Sequence, residues 1–167
     1  MTEGDAIREL SNFEEWLGES AHDFVELLAN TACENARTGF AGAEYDGTND
    51  AVCMTAGEGT DYDVIAFGKS VLFIEFGTGI KYPDDHPEAA ENGMVRGGYG
   101  NGFGKSEFGW MYTGDPGTHG YFIEAGPQAG RIHTYGNPAN APMYHASELV
   151  RNGSMDENFL KGMFDYG

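Results

Sequence analysis

The run from Val71 to Ile80, Val-Leu-Phe-Ile-Glu-Phe-Gly-Thr-Gly-Ile, constrains this chain more than any other segment. Five of its first six side chains are apolar and must leave water, and the carboxylate of Glu75 has to go with them. Gly77-Thr78-Gly79 then stops the element, because glycine alone takes positive φ without steric cost. Beyond it the apolar density falls as far as Gly102. A carboxylate buried in such a run needs backbone amides or an arginine as partners. A general acid or base would also need a second group in reach, and the sequence names none. Ser70 and Gly77 can cap a short helix over 71–76, but a buried strand fits the same run, since periodicity does not separate the two at this length.

A chain of 167 residues fits one domain, here 1–167, with enough hydrophobic content (40%) for a core of its own. Acidic residues outnumber basic ones by 27 to 9, a formal charge of −18. That excludes nucleic acid as an attracted partner, because such binding needs lysine and arginine to displace counterions from phosphates. An acidic surface suits a protein that DNA must pass without sticking; it equally suits solubility alone. The two cysteines, Cys33 in a helical pattern and Cys53 in a strand-like one, have no zinc spacing and point to a reduced cytosolic origin. The opening Met-Thr-Glu-Gly-Asp has no basic or apolar leader pattern, and no apolar run reaches the length of a membrane span. The expectation is a soluble protein made in a cytoplasm, without signal peptide or membrane partner.

The first element reads as a long helix capped by Ser11 or Asn12 and ended by Arg37-Thr38-Gly39. Phe13, Trp16, Leu17, Ala21, Phe24, Leu28 and Ala32 recur at steps of three and four, a stripe expected to pack on a sheet. Glu14, Glu15, Glu19, His22, Asp23, Glu26 and Glu34 fall on the opposite face. Residues 40–69 read as a hairpin or meander, with turns at Asp46-Gly47 and Gly57-Glu58-Gly59. Residues 81–106 form a Gly-rich insertion, expected to be extended and to order only on assembly, with Tyr82, Tyr99 and Phe103 as candidate interface residues. Trp110 to Tyr112 and Tyr121 to Ile123 read as strands, and Pro142 opens a last helix that ends at Asn152-Gly153. A short tail, with a helical piece from Glu157 to Phe164, follows from about residue 153. The fold class expected is α+β: a small, mostly antiparallel sheet flanked by a long N-terminal and a C-terminal helix.

Motifs with chemistry are weak. Gly104-Lys105-Ser106 ends like a P-loop, but the earlier glycine that motif needs is Tyr99 here. Asp46, Thr48 and Asp50 start like a calcium loop that then lacks its central glycine and final glutamate. No two of His22, His86, His119, His133 and His145 have helical metal-ligand spacing, and Asp84-Asp85-His86 reads as a solvated loop. No catalytic residue, metal or cofactor is expected.

Four features occur in order: the long acidic first helix; Phe73-Ile74-Glu75-Phe76-Gly77-Thr78-Gly79; Trp110 after the Gly-rich insertion; and Thr134 to Ala146, with Pro142, Tyr144 and Ala146. Together they resemble the tail-completion, or head–tail joining, proteins of long-tailed phages. These are the gene-ten-type morphogenesis family, also described as neck or minor capsid proteins. The resemblance spans 11–152. Where that family often carries a Pro-x-Asp-Thr-Gly-x-Leu turn after its first helix, this chain has Arg37-Thr38-Gly39-Phe40 and keeps only Thr-Gly. The resemblance implies the short helix over 71–76, no enzymatic activity, and a homo-oligomeric ring, a homohexamer, at the virion head–tail junction. It further implies assembly in the host cytoplasm, contacts with neck, tail-terminator or tail-tube proteins, and DNA only as passing cargo. Competing classes are an acidic DNA-mimic inhibitor, which shares the charge, and a small carbohydrate-binding or hydrolase domain, suggested by Trp110, Tyr112, Tyr121 and Tyr135.

Overall fold

The computed structural model describes residues 3–79, 85–95 and 107–152. The fold is α+β. Helix α1 (Glu3–Ala41) is followed by strands β1 (Val52–Glu58) and β2 (Asp61–Phe67), and by the short helix α2 (Val71–Phe76). Strands β3 (Trp110–Tyr112), β4 (Tyr121–Phe122) and β5 (Ile132–Thr134) come next, then helix α3 (Pro142–Arg151). The strands make two small antiparallel sheets rather than the one expected: the hairpin β1–β2, and a three-stranded sheet in the order β3-β5-β4. The Tyr82, Tyr99 and Phe103 interface candidates, the Gly104-Lys105-Ser106 motif and the tail from residue 153 lie outside the described residues.

Helix α1 is longer than its cap signals suggested. It runs 39 residues, about 58 Å at 1.5 Å per residue. Ser11 and Asn12 are inside it, because nothing in the ten residues before Phe13 breaks a helix and Asp5 pairs with Arg8 one turn on at 3.2 Å. Nor does Thr38-Gly39 end it. The Thr38 hydroxyl donates back to the Glu34 carbonyl, and a Cβ on Gly39 would lie 2.8 Å from the Pro142 Cβ. Glycine there lets α3 approach closely while the helix continues to Phe40, which is 2% exposed.

The stripe read from the sequence is only partly the buried one: Ala32 is in the core, and Trp16, Ala21, Phe24 and Leu28 are half-buried. The residues of α1 in the core are Ala29, Ala32, Cys33, Ala36 and Phe40, whereas Phe13 and Leu17 are 40% and 45% exposed. At 100° per residue the two sets, which share only Ala32, lie roughly a third of a turn apart. The second half of α1 therefore packs on the hairpin and α3, and the first half turns its apolar residues elsewhere. The small side chains of Ala29, Ala32 and Ala36 permit that close packing. The main core joins Ala32, Cys33, Ala36 and Phe40 to Cys53, Val71, Ile74 and Ala146. Both cysteines are buried free thiols. Burial, with the neighbouring Cys33, pushes the Cys53 thiol up.

The hairpin pairs Val52 with Phe67 through Glu58 with Asp61, and its turn falls at Gly59-Thr60 rather than at the expected Gly57-Glu58-Gly59, since Gly57 and Glu58 pair within β1. Alternation places Cys53, Tyr62, Val64 and Ala66 toward α1, and Val52, Met54, Ile65 and Phe67 outward. Strand β5 was not legible in advance, because Ile132-His133-Thr134 is buried at all three positions and shows no alternation. Between the hairpin and α2, Ser70 precedes the helix as expected, but its hydroxyl makes no cap bond. It donates instead to Asp50 at 2.7 Å, while the Ser70 and Lys69 amides donate to the same carboxylate. These bonds, the Ser70 hydroxyl first, hold the Asp50 carboxyl down at about 2. A depressed carboxyl contributes stability that is present above its unfolded pKa of 3.8 and is lost as pH falls through its folded value. Asp50→Asn is thus expected to be less stable than the parent at neutral pH and to lose less of its melting temperature between pH 4 and pH 2. Parallel pH–melting curves for the two proteins would contradict this.

Candidate functional site

The signature Phe73–Gly79 forms the meeting point of α2, α3 and the segment that follows β5. Glu75 is buried, as are Ile74 and Phe76. The carboxylate of Glu75 accepts hydrogen bonds from the backbone amides of Met143 (2.8 Å) and Tyr144 (3.0 Å). These are free donors at the start of α3, where the helix dipole also favours a negative charge. Pro142, at the first helical position, has no amide to satisfy, and His145 already donates to the Ala141 carbonyl. Glu75 thereby completes the N-terminus of a helix 67 residues later in the chain. In return, the last carbonyls of α2 are satisfied by the approach to α3: Asn140 donates to Ile74 and Ala141 to Glu75. Ala141 takes the left-handed conformation, φ 48, to make this junction.

The third partner of Glu75 is His86, whose Nε2 donates to Oε1 at 3.1 Å. The expectation of a solvated Asp84-Asp85-His86 loop is corrected at this histidine. Its side chain is 2% exposed and packs between Phe76 (ring centroids 4.5 Å) and Tyr144 (5.4 Å). The Glu88 amide donates to His86 Nδ1, which fixes the ring proton on Nε2. His86 thus holds the described part of the insertion, 85–95, to the signature, and Ala89 within it is buried. Every hydrogen-bonding position of His86 is engaged, and Glu75 accepts at both oxygens. The pair knits three segments together with both ring nitrogens and both carboxylate oxygens engaged.

Gly77 and Gly79 are required by a close backbone approach. Gly77 has φ 73, and a Cβ there would lie 2.8 Å from the Ala139 amide and 2.9 Å from the Asn137 carbonyl. Between them Thr78 and Asn137 exchange backbone hydrogen bonds (2.9 and 3.2 Å), and the Thr78 hydroxyl accepts from the Asn137 side chain at 3.0 Å. Asn137 also accepts from the Asp46 amide. The buried Asp46 carboxylate accepts from the His119 and Gly120 amides and from the Thr134 hydroxyl. One polar network therefore ties the loop after α1, the signature and the three-stranded sheet. The calcium-like start at Asp46 and Asp50 is explained by these bonds: each carboxylate serves a different set of backbone amides. Near this network, burial and then the charge of Asp46 push the Tyr112 hydroxyl up to about 12. It stays a donor, to the Asp115 carbonyl at 2.6 Å.

Of the remaining signature residues, Trp110 is half-buried opposite Thr134, Pro142 is buried against Gly39, and Ala146 is in the core. Phe73 and Tyr144 are half-buried. Asp46, His86, Thr134 and Asn137 were not anticipated as a set. Asn137-Pro138 is a turn signal, but nothing local pairs it with Asp46, which lies 91 residues earlier. Elsewhere, His133 lies between Tyr121 and Tyr135 (4.9 and 4.7 Å) and donates to the Phe108 carbonyl. His22, Asp23 and Glu26 bring ligand atoms within 4.8 Å of one another. There His22 Nδ1 is bonded to the Gly59 carbonyl and anchors α1 to the hairpin turn. A groove of about 370 Å³ between α1 and α3 is lined mainly by Val25, Leu28, Ala29, Val64, Met143 and Val150. No described helix is long and apolar enough to cross a membrane. Comparison with protein-family models, with curated proteins and with solved structures returns no match.

Proposed function

We propose that this chain is a structural virion protein of a long-tailed phage, a ring subunit that completes the tail or joins it to the head and lets DNA pass. The observation that carries the reading is how the family-like signature is used. Glu75, its one ionisable group, is committed to the first amides of α3 and to His86, and its glycines serve a backbone approach. A segment spent on holding a frame suits an assembly subunit, whose work is done by surfaces. The formal charge of −18 supports the same reading, since DNA in transit meets few cations to exchange for its counterions. The ring is a homohexamer in this reading, its neighbours are neck, tail-terminator or tail-tube proteins, and no catalysis or cofactor is involved. The test is a phage whose copy of this gene carries a stop codon. Electron micrographs of its lysate are expected to show filled heads and finished tails that are not joined, and supplying the chain in trans should restore joined particles. Normal joined particles without the chain would contradict the reading.

A further inference from the structure

We infer that the residues after α3, 153–167, fold back within their own chain and lay the apolar side of 155–164 into the groove between α1 and α3. This contact lies within one chain and is independent of the ring. The groove, about 370 Å³, is bordered by Val25 and Leu28 of α1, Val64 of β2, and Met143 and Val150 of α3. The described residues leave each of these five side chains only half-buried. The lining holds no carboxylate, and its one charged member is Arg151. In a chain with 27 acidic residues against 9 basic ones that is an exception. An apolar trough between two packed helices is where a third amphipathic segment completes a layer.

The sequence that follows α3 suits such a trough. At 100° per residue Met155, Phe159, Leu160, Met163 and Phe164 fall within about half a turn, and Glu157, Lys161 and Asp165 fall in the other half. The connection is short. Val150 and Arg151 line the groove, Asn152 ends α3 with its amide on the Glu148 carbonyl, and Gly153 follows, a residue that can turn the chain without steric cost. A connection of so few residues makes two helical segments antiparallel neighbours. It also holds the segment at an effective concentration in roughly the mM range, which favours its own groove over that of another molecule. The lengths agree: Val25 to Ala32 and Met143 to Val150, which border the groove, each rise about 11 Å, as would a helix over 157–164. The charges agree as well. Asp156, Glu157 and Asp165 outnumber Lys161, and the lining offers them Arg151 and no acid to repel them. Arg151 gives Nη1 to Glu148 at 3.2 Å, which uses only part of its donor fork.

The test is photo-crosslinking in the full chain, with a benzophenone amino acid in place of Leu28. A second probe replaces Met143, in case circular dichroism shows that the first perturbs the fold. Mass spectrometry is expected to join either position to 155–164, in a product that runs as a single chain on a denaturing gel. In the unmodified protein, amide exchange over 155–164 should be at least about tenfold slower than in a free peptide of that sequence. Phe159→Ser combined with Phe164→Ser should abolish that slowing and the crosslink together. Crosslinks that join 155–164 only to a second copy, seen as dimer-sized products, would overturn the intramolecular docking and make the groove a contact between subunits. Crosslinks that avoid 155–164 with both probes, or exchange as fast as in the free peptide, would overturn the docking itself. Neither result bears on the ring, which the micrographs of the stop-codon phage decide separately.

Discussion

Glu75→Ala is expected to lower the stability of the chain by about 3–5 kcal/mol, the usual cost of removing one member of a buried, hydrogen-bonded ionic cluster. The change leaves the Met143 and Tyr144 amides and His86 Nε2 without their acceptor in a site closed to water. Glu75→Gln is expected to cost less, about 2–3 kcal/mol. Its amide oxygen still accepts, but its nitrogen turns a donor toward donors. Urea denaturation measures both. Amide exchange should show α3 losing protection first, since its N-terminus is what the carboxylate completes. In a double-mutant cycle with His86→Ala, coupling of at least about 1 kcal/mol is expected. A Glu75→Ala protein within about 1 kcal/mol of the parent would mean that the junction of α2 and α3 is held by packing alone.

Gly77→Val is the second large effect. A β-branched residue at φ 73 costs on the order of 1–3 kcal/mol in backbone strain. Its Cβ would also meet the Ala139 amide and the Asn137 carbonyl below 3.0 Å, and backbone cannot yield as a side chain can. The sum is expected to exceed about 3 kcal/mol, enough to leave the variant partly unfolded at 37 °C. Gly93→Val is the control: it has a similar φ of 71 but nothing within 4 Å of its Cβ, so strain acts there without the clash. Equal melting temperatures for the two variants would show that the close approach at Gly77 contributes nothing.

The contrast between these residues shows what could be read from the sequence. The five apolar side chains of Val71–Phe76 announced burial, which holds for Val71, Ile74 and Phe76 but not for Leu72, 49% exposed because a helix turns successive residues to different sides. Gly77 announced the end, and the cost of burying a bare carboxylate announced backbone amides or an arginine for Glu75, of which it is the amides that are found. The hairpin was legible from its turn glycines and from the apolar or aromatic residues at most positions of 62–67. Which amides Glu75 would meet was not, because the start of α3 is brought to it by the chain path and not by any local pattern. His86 was hidden for the same reason. In sequence it sits among prolines and aspartates, like a solvated loop residue, and only the fold places it between Phe76 and Tyr144. The α1 stripe misled in an instructive way. Large apolar residues at helical spacing drew attention to the first half, while the buried face of the second half is built largely from alanines that carry little hydropathy signal.

The central claim is that this chain is a subunit of a closed ring, and native mass measurement combined with negative-stain imaging of the purified protein tests it most directly. The account predicts one dominant assembly of defined copy number, seen end-on as a ring with an open centre. A protein that stays monomeric over the whole accessible concentration range, or that forms open filaments of no fixed length, would contradict it.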